Sequence, residues 1–549
     1  MTKGCKNCGH DFEIDDNQKA FFTRTNLPTP TFCPTCRNKR RMAWRNDRTF
    51  YKAKSALSGT TMISLYPENT PYKVYTQSEW YGDKWDAMDY GRDFDFNRPF
   101  FEQFKELQLA VPRMNLDIVN CENSEYCNYC GDDKNCYLDI AGEGNEDCYY
   151  NLFTKFSKDC IDCTFVYNST LCYETLNSYD CYNVKLSQYC NNCSDLAFCY
   201  DCIGCKNCIG CSNLRNKEYY IFNKQVSKED YAKKMKEIFN GSYKNLQNVR
   251  QFWKKHLVDN AIFRDSYQVS CEDSSGNDLK NCKHVNEAFN VTNCEDCAYL
   301  YDVLDAKDCM DLNYSLYKPE LSYELISTLS MTNSAFSMAS HFCNEVFYCD
   351  QCNNSKNLFG CDGLNHKQYC ILNKQYTKEE YEELVPKIIA HLEKNGGFGE
   401  FSPAKYSPFG YNETVAQEYF PLNKEEASKH GYNWQEQEQV SKAENADVIN
   451  AEDLPDIIEG AGIAKAIKAQ STGKLFKIIQ KEFDFYKKNG LPLPRKDPDQ
   501  RHLDRMELRT SRKLFDRKCS KCAKEISSVY EQARKEKVYC EKCYIEAVY

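Results

Sequence analysis

Two sets of four cysteines carry the spacing of a closed metal site. Near one end Cys5 and Cys8 form a Cys-x2-Cys hook, followed by a second hook at Cys33 and Cys36; near the other, Cys519 and Cys522 are followed by Cys540 and Cys543. Four thiolates at about 2.3 Å satisfy a tetrahedral zinc ion and leave no position open for substrate. The chemistry predicted is therefore structural, with two Zn2+ ions, one per set. A module of about 80 residues has too small a core to fold readily without such a staple.

The elements that must hold these hooks are present twice. Residues 1–81 match residues 465–545 without a gap: Gly9, Phe12, Ile14, Leu27, Pro28 and Pro30 recur as Gly473, Phe476, Ile478, Leu491, Pro492 and Pro494, and Lys73-Val74-Tyr75 as Lys537-Val538-Tyr539. The metal ligands do not recur. Ala469, Thr472, Asp497 and Gln500 stand where the first copy has its cysteines, and Ser55, Ser58, Thr76 and Glu79 stand where the second copy has its own. Each terminal module thus reads as two tandem ribbons, one metallated and one bare, in opposite order. The bare ribbons are expected to hold by packing alone.

The run Cys5-Lys6-Asn7-Cys8-Gly9, Leu27-Pro28-Thr29-Pro30 and Cys33-Pro34-Thr35-Cys36-Arg37 resembles a bacterial zinc-ribbon domain family found in uncharacterised proteins. The resemblance covers about the first 41 residues. It implies zinc at those four cysteines and nothing about activity.

Directly after the hooks come two rows of arginine, Arg37, Arg41, Arg45 and Arg48 in one module and Arg501, Arg505, Arg509 and Arg512 in the other. Spacings of four, four and three place each row on one helix face. Such a row suits bidentate contacts to phosphate, as in nucleic acid or a ribonucleoprotein. It equally suits docking on carboxylates, of a protein partner or of the chain itself.

The middle of the chain offers those carboxylates. Net charge is −9 overall, but residues 1–48 carry +5 and residues 465–549 carry +10, leaving −24 for residues 49–464. Residues 160–213 divide into nine-residue units with cysteine fourth (Cys163, Cys172, Cys181, Cys190, Cys199 and Cys208), and the period returns at Cys343, Cys352, Cys361 and Cys370. A period so regular predicts a solenoid. Two units per 18-residue coil would stack Cys163, Cys181 and Cys199 on one wall and place Tyr182 beside Tyr200 outside. Longer spacings, such as Cys282 to Cys294, read as units with short insertions. Cysteine suits a narrow interior because it is small and readily buried; the ladder Cys199, Cys202, Cys205, Cys208 and Cys211 also permits a metal-handling or redox role.

The fold class expected is mainly β: a cysteine-rich parallel β-solenoid in two halves, each capped by a helix and flanked by tandem zinc-ribbon modules. The boundaries are 1–95 for the N-terminal module, 96–118 for a connecting helix, 119–260 and 261–392 for the solenoid halves, 393–464 for an acidic linker and 465–549 for the C-terminal module. The helices start at Ser227 and Thr377, the latter with a capping-box pattern. With no apolar leader and no stretch of about 20 apolar residues, the chain reads as soluble and cytoplasmic, with no membrane partner. No Walker-type loop, HExxH helix or other catalytic constellation stands out, so the protein reads as a non-enzymatic scaffold.

Overall fold

The computed structural model describes residues 1–314, 319–436, 448–460, 462 and 466–549. The chain divides into two compact units, neither contiguous in sequence: residues 1–116 with 266–436, and residues 117–265 with 437–549.

The core of the second unit is a stack of short parallel strands in a register of twelve. Leu152 pairs with Thr164 and Thr164 with Leu176; further along, Tyr182 pairs with Ser194, Ser194 with Lys206 and Lys206 with Glu218. Single parallel bridges extend the same offset from Glu122–Lys134 to Ile203–Arg215. The true repeat is a triplet. One residue pairs in a ladder, the next turns the chain with a left-handed φ, as at Asn168, Asp180, Asn183 and Asp195, and the third points inward. Asn and Asp tolerate that conformation best among residues with a Cβ. They also bond across segments, Asn183 Nδ2 donating to Asp195 Oδ1 at 2.7 Å.

Counting backbone donors explains what fills the interior. Gln188 N donates to the carbonyl of Cys199 and Tyr189 N to that of Leu176, but Cys190 N finds no backbone acceptor and donates to Ser178 Oγ at 3.0 Å. The same bond recurs as Cys181 N to Ser169 Oγ, Cys199 N to Ser187 Oγ, Cys163 N to Asn151 Oδ1 and Gly142 N to Cys130 Sγ. At these positions the inward amide is received by the inward side chain twelve residues earlier. A buried N–H left unpaired costs about 1–3 kcal/mol, so many inward positions need a small side chain with a heteroatom. The thiols also donate, Cys181 Sγ to the carbonyl of Cys190 at 3.2 Å.

This register corrects the coil length. The expected 18-residue coil is not formed: Cys163, Cys181 and Cys199 are not neighbours in register, and Tyr182 lies half-exposed while Tyr200 is buried against Tyr189. Nine and twelve are both multiples of three, so cysteines nine apart fall on inward positions of either coil. Tyr167 and Tyr179, twelve apart, do stack, with ring centroids at 4.9 Å.

In the first unit, residues 266–375 repeat the arrangement. Asn344 pairs with Lys356 and Lys356 with Gln368 at an offset of twelve, while Gln268–Leu279 and Cys309–Ser322 are one short and one long. The Cys282 to Cys294 spacing is thus a regular segment, not an insertion. Both stacks end in a capped helix, Lys228–Ile238 after Ser227 and Lys378–Lys394 after Thr377, the latter with both capping-box bonds. Tyr231 and Tyr381 seat these helices on the last strands through edge contacts with Tyr219 and Tyr369.

Residues 398–436, expected within an extended linker, are folded. Tyr411, Val415, Ala416 and Ala427 pack on Met42 and Ala43, with short helices at Val415–Tyr419 and Lys424–Lys429. Their apolar residues recur with no fixed period, so nothing in the pattern marked them as core. Part of the acidic run from Asn445 to Glu459 lies outside the described residues.

Ser178→Ala is expected to lower stability by about 1–3 kcal/mol by orphaning the Cys190 amide, and Ser178→Cys by less than half of that. Denaturant midpoints of the two variants check the donor count.

Candidate metal centres and the arginine clamp

The terminal modules share one order of elements. A hairpin (Thr2–Gly4 with Asp11–Glu13), two helices (Asp16–Thr25 and Pro34–Met42), a second hairpin (Tyr51–Lys54 with Thr61–Ser64) and a short helix (Gln77–Trp80) form the first. Its counterpart runs through Ala466–Lys468, Leu475–Phe476, Gln480–Lys488, Pro498–Glu507, Phe515–Lys518, Glu525–Ser528 and Glu541–Val548.

Cys5, Cys8, Cys33 and Cys36 converge, as do Cys519, Cys522, Cys540 and Cys543, with the sulfurs of each set within 4.8 Å of one another. Cys8 Sγ lies 3.8 Å from Cys33 Sγ, and Cys522 Sγ 3.8 Å from Cys540 Sγ. That is the edge of a tetrahedron with spokes of about 2.3 Å. Backbone amides steady the sulfurs, Cys33 N donating to Cys5 Sγ and Cys540 N to Cys519 Sγ. Sulfhydryl donation from Cys36 is the main cause that brings Cys33 down to about 5. Burial opposes ionisation at Cys519, but amides of Cys522, Cys540 and Lys521 bring it to about 6. Both sets can hold a metal ion.

The bare ribbons do not rely on packing alone. Glu79 occupies the last ligand position of the first, accepting from Ser55 Oγ and from the Thr76 amide. Burial raises its pKa, but donors from Ser55, Ser58 and Thr76 outweigh it and bring the carboxyl to about 2. In the other module Thr472 Oγ1 donates to Asp497 Oδ2 at 2.6 Å. A carboxylate with its donors takes the place of an ion with its thiolates.

The arginine rows are buried. Arg37 Nε bonds Asp311 Oδ2 at 2.6 Å, Arg41 Nε bonds Asn313 Oδ1 at 2.8 Å, and the Arg37 guanidinium lies over Tyr299, whose hydroxyl accepts from Gln18. In the other unit Arg501 and Arg505 both pair with Asp162, Arg505 Nε reaches Thr164 Oγ1, and Arg501 lies over Tyr150, whose hydroxyl bonds Glu482. Third rungs match as well: Arg45 covers the Tyr314 ring at 3.9 Å and Arg509 the Phe165 ring at 4.1 Å. Arg48 and Arg512 are half-buried at the end of each row. Arg40, outside the predicted row, pairs with Glu324 and Glu400. Burial works against the Arg37 charge, and Asp311 more than restores it, leaving its pKa above the ordinary value. The two docks correspond residue for residue, and each uses the stack within its own unit.

Sequence reasoning missed the receiving residues Asp162, Asp311, Glu324 and Glu400. A signal existed: Tyr150 precedes Asp162, and Tyr299 precedes Asp311, by one twelve-residue segment. Among the described residues no helix is long and apolar enough to cross a membrane.

No family model and no curated protein matches the chain. Among solved structures, one provisionally described as an acetyltransferase from Desulfovibrio desulfuricans G20 is similar at 10% identity, over 48% of this chain and 69% of that one, with a TM-score of 0.11. A likeness that slight carries no argument about fold or activity.

Arg505→Met should destabilise the second unit by about 3–5 kcal/mol, because it strips a partner from buried Asp162; adding Asp162→Asn should recover part of the loss in a double-mutant cycle. The Glu79 contribution to stability should be complete above the ordinary carboxyl value of about 4.5 and vanish as pH falls toward about 2, since its folded-state pKa is depressed. Acid unfolding of Glu79→Gln should lack that limb.

Proposed function

We propose that this protein is a zinc-stapled, non-enzymatic parallel β-solenoid in two halves, whose zinc-ribbon ends clamp its own stacks and whose outer faces serve protein assembly. The carrying observation is the duplicated clamp, Arg37 and Arg41 on Asp311 and Asn313, Arg501 and Arg505 on Asp162 and Thr164. Guanidinium groups engaged in this way are not presented to phosphate, which favours internal docking over nucleic-acid binding through these rows. Phe156 and Tyr182 in one stack and Phe342 in the other stand more than half exposed, aromatic side chains of the kind protein interfaces use. Zinc fits four thiolates in a tetrahedral set better than harder divalent ions.

A redox role for the cysteine ladder is less well supported. All five ladder sulfurs, Cys199, Cys202, Cys205, Cys208 and Cys211, are buried and each hydrogen-bonds to a backbone carbonyl, whereas reactive thiolates sit in partly exposed sites.

The test is retention of labelled RNA and DNA across a salt series, alongside unfolding of Arg41→Glu combined with Arg505→Glu. The proposal expects no salt-sensitive retention by the wild type and a large loss of stability in the variant. Binding that weakens with salt, and disappears in a variant that still unfolds like the wild type, would instead establish the nucleic-acid reading.

A further inference from the structure

The interior of the second unit holds a group of side chains that neither the ribbons nor the clamp uses. Asp133 and Asp139 are inward residues two triplets apart, 1% and 0% exposed, with Cys136 between them. One carboxylate oxygen, one sulfur and another carboxylate oxygen from these residues lie within 4.8 Å of one another. Asp133 Oδ1 accepts from the Asn145 amide and Asp139 Oδ2 from Asn145 Nδ2, but Asp133 Oδ2 and Asp139 Oδ1 are buried with no hydrogen-bond donor. Neither carboxyl has a lysine or arginine partner among the described residues. Two carboxylates facing one another in a dry interior without a counter-charge are strongly disfavoured.

The space beside them is open because residue 142 is glycine. A Cβ there would lie 2.6 Å from Asp139 Oδ2, 2.8 Å from Asp133 Oδ2 and 2.8 Å from Asn145 Nδ2. The glycine backbone itself does not require the absent side chain, since Gly142 has no positive φ. Room in front of one oxygen of each aspartate, of which Asp133 Oδ2 has no donor, is what a small cation needs.

We propose that Asp133, Cys136 and Asp139 bind a third metal ion within the stack, a divalent transition ion of zinc's class. Two carboxylates alone would suit magnesium or calcium, but the thiolate selects a softer ion. Its charge compensates both carboxylates and the thiolate, and burial raises the pKa of both aspartates without it. Nothing in this site depends on the clamp or on what the outer faces bind.

The experiment is zinc per chain, by elemental analysis on full-length protein purified anaerobically and dialysed against a weak chelator. The wild type should hold three zinc ions, and both Asp133→Asn with Asp139→Asn and Gly142→Ala should hold two while Cys8→Ser loses a different one. Two ions in the wild type would overturn the proposal and leave a carboxyl pair sharing a proton; three in all the interior variants would overturn it by placing the extra ion elsewhere. Should the variants fail to fold, X-ray absorption of the wild type decides: oxygen neighbours at about 2.0–2.2 Å beside sulfur at about 2.3 Å are expected, and sulfur alone overturns the site.

Discussion

The inward amide constrains everything else in the stacks. A triplet that spends one residue on pairing and one on turning has a third N–H aimed at the interior, where no backbone carbonyl can meet it. The solution is an inward side chain that is small enough for a narrow core and still carries a lone pair. Serine, threonine, asparagine and cysteine meet both needs, and cysteine adds more apolar burial than the others. Its sulfurs accept inward amides at Cys130, Cys211 and Cys294 and elsewhere donate to carbonyls, so its abundance fits a narrow core without requiring a reactive role.

A core of this kind is polar for its size, and it leaves large faces to be covered. The terminal modules supply that cover by placing arginines over aromatic rings and onto buried aspartates. A buried ion pair contributes little net stability compared with an apolar contact, but it penalises misregistration heavily, because a shifted partner leaves an unpaired charge. On a repeating surface, where neighbouring segments look alike, that penalty selects one seat. Asp162 and Asp311 mark the seats.

Much of this was legible in the sequence, and the reasons for the exceptions are specific. The modules could be aligned because glycine, proline and aromatic positions persist at a constant offset, and the cysteine hooks announce their geometry through spacing alone. The arginine rows were visible as helix faces, but not what they face: Arg37 and Asp311 lie 274 residues apart, and Asp311 looks like any other corner aspartate. The coil length was misread because the visible period of nine and the structural period of twelve share the same triplet. The role of Glu79 was hidden since a carboxylate network has no spacing signature comparable to four cysteines.

The clamps also decide when the protein can be finished. Each stack is seated by a module distant in sequence: residues 266–375 by the one that precedes them, residues 118–225 by the one at the far end. On the ribosome, the stack made first stays uncovered until residues 465–549 emerge, about 320 residues after its own last strand, or tens of seconds at about 5–20 residues per second. The stack made second finds its module already synthesised. Interleaved this way, the chain has no single cut that yields two complete halves, so a truncated product is always missing a seat.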